Sequence, residues 1–360
     1  MTFWIILCLL LFTLCVIERN ISVKYKNIVG FVIFFITWFI TAFRSEIGWD
    51  YDSYKNTFST VDIFYYEPGF SAIIIGLREI GCSYQMLFVV VSLISYFLIW
   101  KGSDYWIKKY NCLTKGWFAY LYFLFPSFGY ASFSIIRQML AVSIIFWASK
   151  FILNRCFIKY LFAVIVSATM HYTAILCLLL YFIGQVKIKP FYYVVGITLA
   201  FLAAEYDFFD TVLTMIIPSI EQYQAYLNFF NEQSRIGMLL LIFLVIFIFL
   251  EYWYPKEYYI KNMMFFTVVI SLVCITNYPL LRVRYYTLVF AIVSYQLLFE
   301  RIKYLLSMKV AYLLLLAVSC WYLNEMNTRD YHNVNNYDAY ANPYISAGNI
   351  DYKFNFKLIE

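Results

Sequence analysis

Long apolar runs separated by short polar joints repeat from one end of the chain to the other. They cover Thr2 to Ile17, Ile28 to Phe43, Tyr84 to Trp100, Gly116 to Phe128, Ser134 to Leu153, Phe191 to Ala204, Ile236 to Glu251, Asn262 to Thr276, Tyr285 to Phe299 and Ala311 to Leu323. Continuous runs of this length predict transmembrane helices, whereas strands of a membrane barrel would alternate polarity over about ten residues. Tyr160 to Gly184 reads as a hairpin of two short arms turning near His171. Pro68 to Ile80 is too short to span and carries Arg78 and Glu79, so it predicts a re-entrant or interfacial helix. The pattern as a whole predicts an all-α integral membrane protein, a polytopic helical bundle of about 12 spans. Residues 1–323 would form one transmembrane helical domain with outer loops at 44–67, 205–234 and 277–284, followed by a tail at 324–360.

Composition agrees: 64% of the 360 residues are hydrophobic and only 13% are charged, with a mean hydropathy of +0.72. Such a chain has lipid as its main solvent. The net charge of +6 comes from basic residues scattered over short joints, with no stripe or block, so nucleic acid is not an expected partner. Those basic residues report orientation instead. Arg19, Lys24 and Lys26, then Lys101, Lys108, Lys109 and Lys115, then Lys150, Arg155 and Lys159 fall on one side, the cytoplasmic one by the positive-inside rule. Thr2 to Ile17 has no positive residue before it and no small-residue cleavage site after it, so it predicts a retained first helix. The segment from Arg44 to Tyr66, the acid-rich stretch 205–234 and the tail are then external.

Several chemistries find no support. The eight cysteines never form CxxC, the two histidines lie far apart without an HExxH, and neither GxxxxGK[ST], GxGxxG nor GxSxG occurs. No cofactor and no metal is expected.

What the topology gathers at the outer face is a set of ionisable residues: Arg44, Asp50, Asp52, Glu67, Arg137, His171, Arg282 and Arg284. Arg137 lies in the first turn of an apolar helix, and a charge costs about 2.5–3.5 kcal/mol at the bilayer centre, so it needs a partner or a ligand. An ion pair with Asp50 or Glu67 is one reading. An anion site is the other, since four arginines exceed what a few acids require and suit phosphate geometry. His171 is either a core histidine bonded to backbone or a neutral imidazole able to take a proton from a sugar hydroxyl. Tyr51, Tyr54 and Tyr172, beside the charges, are of the type on which sugar rings stack.

In this setting Arg44, Gly48, Asp50, Tyr51 and Tyr54, the run Glu67-Pro68-Gly69-Phe70, Ile136-Arg137-Gln138 with Ala141, Met170-His171-Tyr172-Thr173-Ala174, and Arg282 or Arg284 before Tyr285-Tyr286 together resemble the EpsG/Wzy group of polysaccharide polymerases. The resemblance implies a GT-C-like bundle in the bacterial inner membrane with its active site facing the periplasm. It implies a metal-independent glycosyltransferase, an O-antigen polymerase of lipopolysaccharide biosynthesis, that joins undecaprenyl-diphosphate-linked oligosaccharide repeat units. By it, His171, Asp50 and Glu67 are catalytic, Arg44, Arg137 and Arg282 or Arg284 hold the diphosphate, and Tyr51, Tyr54 and Tyr172 contact sugar. Membrane lipid and a chain-length regulator protein complete the expected partners. A flippase of lipid-linked oligosaccharide and an O-antigen ligase are the alternatives.

Overall fold

Inside lipid every backbone N–H and C=O must be satisfied within its own segment, and the helix does this residue by residue. In the computed structural model the described residues are 2–45, 47–48, 50–60, 66–110, 113–124, 128–206, 208, 236–273, 281–305 and 355–358. Among them the regular structure is helical and no strand occurs. In chain order the helices are α1 (Thr2–Asn20), α2 (Val23–Ala42), α3 (Tyr51–Ser59), α4 (Pro68–Glu79), α5 (Tyr84–Lys109), α6 (Lys115–Leu124), α7 (Phe128–Ser134) and α8 (Ile136–Leu153). They continue with α9 (Phe157–Met170), a 3-10 turn (Tyr172–Cys177), α10 (Leu178–Ile183), α11 (Pro190–Glu205), α12 (Ile236–Trp253), α13 (Tyr258–Val273), α14 (Leu281–Leu288) and α15 (Ala291–Leu305).

Among the described residues three helices, α2, α5 and α8, are each long and apolar enough to cross a membrane, and α9, α11 and α13 are shorter apolar helices. The chain is thus a helical membrane protein. Helix α8 is the most enclosed of the long three: 72% of its apolar window is buried inside the protein, against 50% for α5 and 39% for α2. A helix that is apolar all round belongs in the middle of a bundle, and α8 packs against α5, α9 and α14. Close approach is built in by small residues, since a Cβ at Gly102 of α5 would stand 2.7 Å from the Phe146 ring of α8.

Polar groups occupy both ends of this bundle. At one end the Glu18 carboxylate, at the close of α1, accepts from the Gly116 N–H at 2.9 Å and the Thr114 hydroxyl at 2.8 Å. Ion pairs Lys115–Asp104 (2.7 Å), Lys261–Glu251 (2.6 Å), Arg19–Glu300 and Lys109–Glu257 join helix ends there. Arg44, Asp50, α3 and Tyr66 lie at the other.

The structure departs from the sequence pattern at several points. The segment 44–67, expected as a loop, contains α3, because Tyr51, Tyr54 and Phe58 recur on one buried face and Asp52 sits in the first turn, where the helix dipole favours an acid. Helix α5 runs past Trp100 to end on Lys108 and Lys109, whose charges favour a helix C-terminus. The run Tyr285 to Phe299 is interrupted at Val289–Phe290, where 3-10-type bonds from Phe290 N–H to Thr287 O (3.2 Å) and Ile292 N–H to Val289 O (3.3 Å) replace the α ladder. Most of the expected loop 205–234, positions 277–280, the expected span Ala311 to Leu323 and the tail through 354 lie outside the described residues. Residues 355–358 join the Arg44 end of the bundle: Asn355 donates to Phe43 O and the Ser83 N–H to Leu358 O, both at 2.9 Å.

Candidate functional site

Helix α4 brings Glu67 to the site. Pro68 stands at its first position, where no N–H is required, and Glu67 holds the N-cap place. Gly69 follows because α4 crosses α9 here without room for a side chain: its Cβ would meet Thr169 Oγ1 and stand 2.8 Å from Thr169 Cβ. Phe70 is fully buried. The Glu-Pro-Gly-Phe order therefore starts a helix, lets it touch α9 and anchors it, with the carboxylate left at the tip.

The partner element is the close of α9. His171 caps that helix in extended conformation (φ −159°, ψ 119°), and the 3-10 turn starts beyond it. This break turns the imidazole toward α4, and His171 Nδ1 bonds Glu67 Oε1 at 2.8 Å. The Tyr172 N–H donates to the same oxygen at 3.3 Å. The other oxygen, Oε2, receives Arg137 Nη1 from the first turn of α8. One buried carboxylate, 4% exposed, thus joins an arginine and a histidine from separate helices.

Arg137 is held in place from three sides. Its Nε donates to the Tyr54 hydroxyl at 3.4 Å, and its guanidinium lies 4.2 Å over the Tyr66 ring, a cation–π geometry. The Nη2 group has no partner among the described residues. The same is true of His171 Nε2, a buried polar atom.

Charge states follow from these contacts. Burial alone would raise the Glu67 pKa, yet the hydrogen bond to His171 and the charge of Arg137 bring it down to about 2. An ionised carboxylate only accepts, so His171 Nδ1 carries the proton and neutral His171 has its lone pair on Nε2. Asp50, at the N-cap position of α3, is displaced the other way: burial raises its carboxyl above the ordinary range, against the lowering charges of Arg282 and Arg137. Burial likewise pushes the Tyr54 phenol up, which keeps it neutral.

The remaining expected residues separate into groups. Arg282 acts electrostatically on both Asp50 and His171, and Gln138 of α8 bonds its carbonyl. Arg284 lies two residues on, about 200° around the helix, and faces away. It donates to Ser271 Oγ at 3.3 Å, lies 5.7 Å over Phe243 and is 3% exposed. Arg44 is fully buried, with Nε on Ile47 O and Nη2 on Phe133 O, both at 3.0 Å, Nη1 on Thr41 O, and its guanidinium 4.4 Å over Phe88. Gly48 nearby has φ +118°, and a Cβ there would strike the same Phe133 carbonyl. Arg44 and Gly48 therefore seat the 44–50 turn on the end of α7. Tyr51 is buried, stacked on Phe88 at 4.8 Å, while the Tyr172 side chain is 64% exposed and only its backbone reaches the cluster.

Gln138, part of the Arg-Gln run in the sequence, ties α8 to α14, and Tyr66, one of the tyrosines beside the charges, is the platform beneath Arg137. Their contacts with α14 and with the Arg137 guanidinium carry no signal in the sequence beyond adjacency to Arg137 and Glu67. Among the described residues no group of three His, Cys, Asp or Glu side chains is placed to hold a metal ion.

An all-helical membrane protein whose bundle carries an Arg–Glu–His cluster at one end is the class these features define. Within that class the chain belongs to the EpsG family, whose family model matches residues 27–342 and so includes every residue of the cluster. Membership suggests a polysaccharide polymerase-like function. Neither a curated protein nor a solved structure matches the chain.

Proposed function

We propose that the protein is an O-antigen polymerase, a metal-independent glycosyltransferase of the bacterial inner membrane with its active site facing the periplasm. Its substrates are undecaprenyl-diphosphate-linked oligosaccharides: the growing glycan on one carrier is the donor and a single repeat unit on another the acceptor. The observation that carries this reading is the Glu67 carboxylate bridging Arg137 and His171 while Arg137 Nη2 and His171 Nε2 have no partner among the described residues. A terminal hydroxyl of the acceptor attacks the anomeric carbon of the donor, its proton passes to His171 Nε2, and the lipid diphosphate departs.

Each residue then has a physical task. Glu67 holds the imidazole in the tautomer with its lone pair on Nε2 and stabilises the imidazolium that forms. Arg137 and Arg282 neutralise the leaving diphosphate, a preorganised electrostatic contribution of the kind that dominates many reactions. Asp50, whose charge is disfavoured by burial, orients sugar hydroxyls, with Tyr54 beside it. Arg44 and Arg284, engaged by backbone carbonyls and by Ser271, are reassigned to positioning the turn and α14. The domain limits, a count near twelve spans, the GT-C-like relationship and a chain-length regulator partner belong to this proposal.

The test is the electrophoretic ladder of surface lipopolysaccharide in the source strain after deletion of the chain. Rescue is attempted with wild type, His171→Ala and Arg137→Ala at equal protein level. A ladder reduced to core plus one repeat unit, restored by wild type alone, supports the polymerase. Loss of the single-repeat band indicates a flippase or ligase, and an unchanged ladder sinks the reading.

A further inference from the structure

A cavity of about 610 Å³ opens between α4, α5, α8 and α9. Its lining is apolar apart from Lys159. One end approaches the site to within a few residues along each helix: Met170 precedes His171, Leu140 is three residues beyond Arg137, and Ile73 is on α4, which carries Glu67 at its tip. The other end lies at Phe151, Ile158 and Lys159, where α8 turns into α9. From Leu140 to Phe151 the groove follows α8 for about 17 Å at 1.5 Å per residue.

A long apolar groove that ends beside an arginine and a histidine fits one chemical class of ligand, an extended lipid chain bearing an anionic head. We infer that this groove holds the polyprenyl chain of the donor, with the diphosphate at Arg137. The inference rests on the polymerase reading and adds to it which of the two carriers is seated here. In that reaction the donor's diphosphate is bonded to the reacting anomeric carbon, so its lipid must begin within a few ångströms of His171. The acceptor's attacking hydroxyl is separated from its own diphosphate by a whole oligosaccharide, so its lipid enters elsewhere. Lys159, exposed at the far end, has the long apolar stem and charged tip that suit a position where a lipid chain meets water.

The test uses the full chain in nanodiscs with undecaprenyl diphosphate and inorganic diphosphate as probes. Val166→Trp fills the groove from α9 and Leu98→Trp from α5; both positions are half-buried, so at least one variant is expected to pass size-exclusion and melting controls. Either is expected to weaken undecaprenyl diphosphate at least tenfold while changing inorganic diphosphate less than twofold. In polymerisation assays the donor KM rises and the acceptor KM does not. Unchanged undecaprenyl diphosphate binding by both groove variants, alongside its loss in Arg137→Ala, overturns the groove and leaves the site reading intact. No loss in Arg137→Ala either overturns both. Displacement of undecaprenyl diphosphate by equal phosphatidylglycerol makes the groove a seat for bulk lipid, and a raised acceptor KM in place of the donor's overturns the assignment of carriers.

Discussion

At the scale of single residues, Glu67 is the pivot because it is the acid that both Arg137 and His171 contact. Removing one partner of a buried charged pair leaves the other uncompensated, at a cost of about 3–5 kcal/mol. Glu67→Gln is therefore expected to lower stability by about 3 kcal/mol and to abolish polymer synthesis, checked by thermal unfolding in detergent and by the lipopolysaccharide ladder. Its depressed pKa of about 2, against 4.5 for an ordinary glutamate, sets the pH dependence. The stabilisation it contributes is complete above about pH 4.5 and is lost as pH falls toward 2. Melting curves from pH 7 to pH 3 should show this loss in wild type and not in Glu67→Gln. Asp50 has the opposite sign: with a raised folded pKa, its favourable protonation is lost as pH rises, so at neutral pH its charge is held against stability. Asp50→Asn is expected to melt at or above the wild-type temperature while polymer synthesis falls, and a lower melting temperature would contradict the assigned cause.

At the scale of elements, the site depends on where three helices begin or end: α4 at Glu67, α8 at Arg137 and α9 at His171. The contact between α4 and α9 has no spare volume at Gly69. Gly69→Val overpacks it, and an insertion of this kind costs about 1–3 kcal/mol. The expected result is a destabilised protein in which Glu67 is drawn from His171 and polymer synthesis is reduced at least tenfold, measured beside Gly76→Val in the same helix. Gly76 has open space around its Cβ position, so that control should behave as wild type. Much at this scale was legible. The Glu-Pro-Gly-Phe and Met-His-Tyr runs were recognisable as elements, but their physical content, a helix start pressed against a helix end, required the crossing to be seen.

At the scale of the whole molecule, orientation is the property to measure. Cys82 lies beside the tail segment and the 44–50 turn, and Cys156 at the turn between α8 and α9 on the opposite side; both are half-exposed. With the other six cysteines replaced, a membrane-impermeant maleimide applied to intact cells should label Cys82 and spare Cys156, and the reverse pattern would invert the topology. What the sequence determined by itself is the helical membrane class and the family, because lipid admits few structures and long apolar runs announce the one adopted. It also supplied the ingredients of the site, since charges in such runs are costly enough to be conspicuous. Only the tertiary structure decided which charges meet. Arg44 and Arg137 look alike along the chain, yet one is consumed by carbonyls of Thr41, Ile47 and Phe133 and the other faces Glu67. Arg282 and Arg284 differ only by which side of α14 they leave. Pairing is a property of distances between segments far apart in sequence, and those distances are set by how the helices pack.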